Sequence, residues 1–447
     1  MSDEQYVMGE PNFESNEEVT ESYHDYVMPV WKNLNVPVEE AEGSRYRDFD
    51  GGEYVDLFAG ISVTNAGHRN EAVVEAAKEQ LDELVHCCSY VHPNEPVAAL
   101  AERLAEITPG DLEKTFFCNS GTEAVEGSIK LARKYTGSKE VVALEMGFHG
   151  RTLGSLALTG NHTYKKGMAP TIGDVVQAPA PYQYRSMIGE EDDEKFAEKQ
   201  AAKLDHVLGT HTSKDLAAIV LEPVLGEGGI IVPPEGYLKE VKKVAVEHDA
   251  LLIADEVQTG YGRTGKMWAV DHFDITPDII LQAKGIADGL PLGAFTARAE
   301  IADSFESGDH LSTFGGNPVS CAAANACIDE LQDGIIENAE LQGEYLELQL
   351  LNLEDEYEVV GDTRGLGLMR GIEFVDPGSE GPHGNAPAPD AELASRINES
   401  LLEDYEFIAG VGGYYKNVLR IQPPLVIERD DLERFVDALE EILENET

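Results

Sequence analysis

The stretch ALLIADEVQTG, residues 250–260, opens with five apolar residues that show no alternation, a pattern that suits a strand buried on both faces. The run stops at Asp255. A carboxylate at the end of a buried strand is costly unless a cation or several donors meet it, so Asp255 reads as a residue with a partner, structural or chemical. Working outward, short apolar runs recur at residues 115–118, 140–144, 217–221, 279–282 and 293–297. Helical spacing separates most of them, as at residues 122–135 and 236–248. Apolar strands alternating with helices predict an α/β fold, a mainly parallel sheet covered on both faces. In such sheets ligands gather at the carboxyl ends of the strands.

The flanks read differently. Residues 44–58 alternate apolar and polar side chains about Asp50-Gly51-Gly52, a hairpin signal. Residues 71–85, 96–107 and 319–331 are spaced as helices, and residues 376–389 (DPGSEGPHGNAPAP) read as a loop. Strands expected at residues 367–375 and 418–421 place a smaller α+β unit after the large one. The resulting division is an N-terminal segment, 1–60, contributing to the small domain, a large domain, 61–325, and a C-terminal small domain, 326–447. A length of 447 residues suits two domains or one large body with a satellite.

Acidic residues outnumber basic ones 84 to 33, giving a net charge of −51, which repels phosphate backbones and anionic lipid. No nucleic acid or membrane partner is therefore expected. The excess is spread along the chain, including Glu190-Glu-Asp-Asp-Glu194 and Glu440, Glu441 and Glu444. Such self-repulsion destabilises a compact state in dilute buffer and is screened in concentrated salt, so a salt-adapted (halophilic) source is expected. The 42% of hydrophobic residues, set in periodic runs, exclude a disordered chain. Five cysteines without a CxxC pair favour neither zinc nor disulfides, and no metal is expected. The polar, acidic start of the chain does not resemble a leader, and a cytoplasmic location is expected.

Four strand ends carry polar residues. Asn119-Ser120-Gly121-Thr122-Glu123 opens a helix, where it serves either as a plain N-cap or as a phosphate cradle of N–H groups, hydroxyls and dipole. Gly147-Phe148-His149-Gly150-Arg151 offers an aromatic that covers the core or stacks on a ring, and an arginine able to fork a carboxylate. Asp255 ends the third strand. Lys284 follows the fourth, either snorkelling from the strand edge or desolvated, with a lowered pKa and the nucleophilicity to form a Schiff base. A phosphate cradle, a stacking aromatic, a buried aspartate and a buried lysine together describe a pyridoxal phosphate site.

The motifs 119–124 (NSGTEA), 148–152 (FHGRT), 222–224 (EPV), 255–258 (DEVQ), 284–287 (KGIA) and 313–318 (TFGGNP), in this order, closely resemble those of the class III (ω) aminotransferases of fold type I. The resemblance runs from about Ser44 to the C-terminus. It implies a large domain with a mainly parallel seven-stranded sheet, pyridoxal 5′-phosphate as cofactor, and a homodimer or dimer of dimers. By the same resemblance Lys284 carries the cofactor and shuttles a proton, Asp255 holds the ring-nitrogen proton, and Gln258 bonds the ring hydroxyl. Ser120, Gly121 and Thr122 bind the phosphate, Phe148 stacks on the ring with His149 and Glu222 nearby, and Thr313 reaches the phosphate in the partner subunit.

For substrates, the resemblance matches Arg420 to the residue that binds the α-carboxylate of a 2-keto acid, and Glu227 to a gate that pairs with it when an ω-amino substrate is bound. Arg151 and Ile61 match positions that hold the distal carboxylate and shape the pocket. The implied reaction moves an amino group from an amine or ω-amino acid, 4-aminobutyrate-like, to 2-oxoglutarate or pyruvate by a ping-pong mechanism. Alanine–glyoxylate-type and acetylornithine/ornithine-type aminotransferases, and an amino-acid racemase on the same scaffold, are the alternatives. A cofactor-binding protein without activity is opposed by the intact Lys284 and Asp255.

Overall fold

The computed structural model describes residues 13–30, 34, 36–189, 192–382 and 386–446. The first twelve residues of the polar N-terminal segment and Glu190-Glu191 of the acidic run lie outside the described residues. Seven strands form the central sheet in the order Leu112–Cys118, Gly293–Arg298, Ile279–Gln282, Leu251–Asp255, Leu216–Leu221, Glu140–Leu144 and Val175–Ala178. Gly293–Arg298 is antiparallel to both neighbours, and the other adjacent pairs are parallel. Every residue of Leu216–Leu221, Leu251–Asp255 and Ile279–Gln282 is buried, as their unalternated apolar sequences require. The fold is the α/β architecture expected, with the edge strand Val175–Ala178 as an addition that four residues were too few to signal.

The strand order reverses between Glu140–Leu144 and Leu216–Leu221: the chain proceeds outward to Val175–Ala178 on one side and to Leu251–Asp255 and Ile279–Gln282 on the other. Such a reversal opens a crevice at the carboxyl edge. The helix Gly121–Thr136 packs its Ala124, Val125, Ile129 and Leu131 side into the core and is capped by Ser120, whose side chain accepts from Glu123 N.

Two smaller sheets flank this body. Val38–Glu42, Arg45–Asp48 and Glu53–Asp56 form an antiparallel sheet whose last strand pairs in parallel with Phe407–Ile408. Its hairpin turn is closed by Asp48, which accepts from Asp50 N and Gly52 N at 3.0 and 2.7 Å. Val360–Leu366, Met369–Glu380, Val418–Ile421 and Gly410–Gly412 make the other sheet. The expectation of a loop over residues 376–389 is corrected here. Met369–Glu380 runs on and pairs with Pro387–Pro389 through Val375↔Pro389, Asp376↔Ala388 and Glu380↔Pro387. Backbone pairing needs no apolar side chains, and prolines are tolerated because this short strand lies at an edge. Among the described residues no helix is long and apolar enough to cross a membrane.

Arg263 joins segments far apart in sequence. Fully buried, it donates to Pro423 O at 2.5 Å, Leu368 O at 3.1 Å and Asn65 Oδ1 at 2.6 Å. Burial pulls its guanidinium down to about 9, a sign of how much its hydration is missed. Replacing it strands three buried acceptors, each worth about 1–3 kcal/mol, partly offset by no longer burying a charge. Arg263→Leu is therefore expected to lower stability on the order of 3 kcal/mol in denaturant titrations; an unchanged midpoint would show that the three acceptors find other donors.

Candidate active site

The carboxyl edge of the sheet gathers the residues singled out above into one cleft of about 420 Å³, lined by Ser120, Gly121, Thr122, Phe148, His149, Arg151, Glu222, Asp255, Gln258 and Lys284. Asp255, the last residue of its strand, is met by two partners as its burial demands. His149 Nδ1 donates to Asp255 Oδ2 at 2.7 Å, and Val257 N donates to Oδ1 at 3.1 Å. Burial alone would lower the imidazolium pKa of His149, but the hydrogen bond and charge of Asp255, with the charge of Glu222, outweigh it and raise it. The other ring nitrogen, Nε2, is buried without a partner.

Glu222 follows the strand Leu216–Leu221 and spends both oxygens on backbone, accepting from Phe148 N at 2.8 Å and Gly226 N at 2.9 Å. It is a strut between two loops of the cleft. Burial pushes its carboxyl up to about 7. Gln258 donates through Nε2 to Gln422 Oε1 at 3.1 Å and to Ser62 Oγ at 3.4 Å. Thr122 Oγ1 lies 2.6 Å from Ser155 Oγ and 2.8 Å from Thr152 Oγ1, which ties the head of the helix Gly121–Thr136 to the 148–155 segment.

Lys284 begins a short 3₁₀ turn directly after the strand Ile279–Gln282 and Ala283, with φ +47°. A non-glycine residue in this region is uncommon and strained, and such strain collects at functional sites. Burial lowers its amine to about 8, against the opposing charges of Glu227, Glu222 and Asp255. Glu227 and Arg420 stand beside the cleft as an ion pair, Arg420 Nη1 to Glu227 Oε2 at 2.6 Å. Burial raises the Glu227 carboxyl, but Arg420 and the hydroxyl of Tyr164 prevail and hold it below its ordinary value. Arg420 is confined between the Phe58 ring, 5.2 Å from its guanidinium carbon, and Gly412, where a Cβ would come within 2.5 Å of Nε. Only glycine fits there. Arg151 is exposed, its guanidinium carbon 5.1 Å from the Phe148 ring centre and 4.9 Å from that of Tyr164.

Ile61 and Thr313 are not brought to this cleft. Ile61 lies on a left-handed turn with φ +72° and is 48% exposed, and Thr313 is exposed beside Phe314. Conversely, Tyr164, Phe58, Ser62 and Gln422 hold site residues without having been anticipated. Tyr164 stands thirteen positions past Arg151 in a segment without strand or helix period, so only contact in space reveals it.

The residues fit pyridoxal 5′-phosphate. The 16-residue helix Gly121–Thr136 presents its N-terminus to the cleft, suited to a dianion, and Gly121 is packed so closely on Val257 that a Cβ would come within 2.8 Å of it. Asp255 supplies an acceptor suited to a protonated ring nitrogen, and Lys284 an amine with lowered basicity.

A family model for aminotransferase class-III matches residues 27–443. An acetylornithine aminotransferase of Methanopyrus kandleri is 40% identical over 427 residues, covering 95% of this chain and 98% of that one. A 4-aminobutyrate aminotransferase of Mycobacterium leprae is 40% identical over 418 residues, 93% and 92% of the two chains. The PLP-bound crystal structure of an amine transaminase from an uncultivated Pseudomonas species superposes with a TM-score of 0.87 at 30% identity, over 94% of this chain and 98% of that one.

In cofactor-free protein the Lys284 amine should react with formaldehyde and cyanoborohydride in proportion to its neutral fraction. That fraction rises through about pH 8, whereas an ordinary lysine titrates near pH 10.4. Peptide mass spectrometry across pH 6–11 reads this directly, and a Lys284 profile coincident with exposed lysines would mean that burial does not set its basicity.

Proposed function

This chain belongs to the class-III aminotransferases, a family that uses pyridoxal 5′-phosphate, and we propose that it moves an amino group from an ω-amino acid of the 4-aminobutyrate kind to 2-oxoglutarate or pyruvate in two half-reactions, ping-pong fashion. The Glu227–Arg420 pair at 2.6 Å beside Lys284 carries this reading. Such an enzyme alternates between a donor whose reacting end is an apolar methylene and an acceptor with a carboxylate at the same place. A bare arginine there favours α-amino acids in both half-reactions. A carboxylate that covers it in one half-reaction and leaves it in the other serves both.

When bound, pyridoxal phosphate supplies an aldehyde that stores the amino group and a ring that draws electrons from the reacting carbon. Ser120, Gly121 and Thr122 would hold its phosphate, Phe148 would stack on its ring, and Gln258 would bond its hydroxyl. Asp255, held in place by His149, would hold a proton on the ring nitrogen. Lys284 would anchor it and, once released by the substrate amine, move a proton at the reacting carbon. Glu222 braces the loop of Phe148. Arg151, exposed at the mouth on the Phe148 and Tyr164 rings, would take the distal carboxylate, whereas Ile61, matched to a pocket-shaping position, stands off this cleft. The cofactor domain is taken as residues 61–325, with 1–60 and 326–447 making the small domain.

A homodimer is part of this proposal. Thr313 is exposed, as a residue serving the partner's phosphate would be, and Leu311, Phe314 and Leu153, near it or near the cleft in sequence, are each more than half exposed, as are Val85, whose carbonyl accepts from Asn317, and Val91. A high-salt cytoplasm as the working environment is supported by the net charge of −51.

Removing the gate should change selectivity. A charge-assisted pair at a partly buried site contributes roughly 1.5–3 kcal/mol, a tenfold to hundredfold effect. Glu227→Ala is expected to shift preference by that factor from ω-amino donors toward α-amino donors. Arg420→Ala should weaken the 2-keto acid far more than the ω-amino donor. Single-turnover spectra of each half-reaction measure both, and equal losses for the two donor types in Glu227→Ala would make the pair a static salt bridge. Salt adaptation is tested separately: the thermal unfolding midpoint should climb steadily from dilute buffer to molar KCl, and a flat profile would rule it out.

A further inference from the structure

Glu227 has two donors. Arg420 takes Oε2, and the hydroxyl of Tyr164 donates to Oε1 at 2.5 Å. Tyr164 is itself fixed by contacts that do not involve Glu227. It lies on the turn His162–Lys165, whose start is capped by Asn161 and whose Lys165 Nζ donates to Ala157 O at 3.0 Å. Its ring meets Phe148 edge-on at 5.5 Å and carries the Arg151 guanidinium on its face. Burial and the charge of Glu227 push its phenol well above the ordinary value, so it remains a donor throughout the working range.

The backbone under Glu227 is equally constrained. Gly229 O accepts from Arg364 Nε and Nη2 at 2.9 and 2.7 Å, and Glu227 O accepts from Gly413 N at 3.2 Å. Arg364 is in turn paired with the buried Glu373 at 2.8 Å. Any release of Arg420 is therefore a movement of the Glu227 side chain on a fixed loop. A partly buried carboxylate that gave up its one partner would be left poorly hydrated and unpaired, at a cost in free energy. A gate built that way would resist opening.

We propose that Tyr164 holds Glu227 while Arg420 is engaged by the carboxylate of the 2-keto acid, making Tyr164 a positioning residue for the acceptor half-reaction. This rests on the gate reading of Glu227 and Arg420. In the closed arrangement the carboxylate has both donors, so loss of the phenol still leaves the arginine. In the open arrangement the phenol is what remains. Its removal therefore disfavours the open state more than the closed one, and the penalty falls on the acceptor.

Tyr164→Phe keeps the ring and its contacts with Arg151 and Phe148 and deletes only the hydroxyl. In the holoenzyme, single-turnover measurements with 2-oxoglutarate or pyruvate should show the acceptor KM raised about tenfold, while the KM for 4-aminobutyrate moves less than twofold. An equal rise in both, or a rise confined to the ω-amino donor, overturns the inference. In a Glu227→Ala background the same substitution should add nothing, because no carboxylate is left to hold; a persisting tenfold effect would mean that the hydroxyl touches the acceptor directly and also overturns it. If Glu227→Ala alone fails to shift donor preference, the gate reading falls and takes this inference with it. If that shift is seen and Tyr164→Phe produces no split, the gate stands and only the role of Tyr164 fails.

Discussion

A strand that is buried from end to end cannot finish on a carboxylate unless donors are brought to it, and the architecture of the cleft follows from how Asp255 is answered. His149 comes from the loop after the neighbouring-but-one strand, Glu140–Leu144, so the pair at 2.7 Å locks that loop over the end of Leu251–Asp255. Glu222, at the end of the strand between them, fastens the same loop from its other side by accepting from Phe148 N. Asp255, Glu222 and His149 close the floor of the cleft. Lys284 then enters an already charged, poorly hydrated space, and burial prevails over the nearby negative charges to leave a basicity of about 8. One buried carboxylate thus fixes a loop and the aromatic Phe148 on it, opposite the lysine.

Selectivity is assembled from more distant parts of the chain. Arg420 comes from the C-terminal sheet, Phe58 from the N-terminal segment and Glu227 from the loop after Leu216–Leu221. Their relative placement depends on contacts such as Gln422 N to Leu57 O at 2.7 Å and Arg263 to Pro423, Leu368 and Asn65. These are bonds between buried groups, which tolerate little displacement before a donor or acceptor is stranded. The Glu227–Arg420 pair therefore sits in a frame whose backbone is held.

The legible parts of the sequence were those in which local pattern and chemistry coincide. Unalternated apolar runs betrayed the parallel strands, and a carboxylate or lysine at the end of such a run betrayed the cleft, because burial makes these residues improbable without purpose. The four residues Val175–Ala178 were too short to rise above chance. The hairpin closed by Pro387–Pro389 was hidden because its stabilisation is backbone pairing at an edge, which leaves no periodicity in side chains. Tyr164 was invisible for another reason. Its importance lies wholly in reaching Glu227, 63 positions away in sequence, from a turn with no pattern of its own.

The uneven distribution of charge ties the surface to the site. With only 33 basic residues against 84 acidic ones, the chain still buries Arg185, Arg263, Arg370 and Arg420, each bonded to a carboxylate or to carbonyls inside. The buried carboxylates, among them Asp255, Glu222 and Glu373, are likewise bonded inside, and the acidic excess is left to the exterior. The exterior is then subject to screening over a Debye length of about 3 Å in 1 M salt, whereas buried pairs are screened far less. Salt can thus relieve the repulsion that burdens the fold without loosening the pairs that shape the cleft. Two sets of charges are in this way distinguished, one exposed and adjustable by the medium, the other, as in Arg185–Glu373, enclosed and set by geometry.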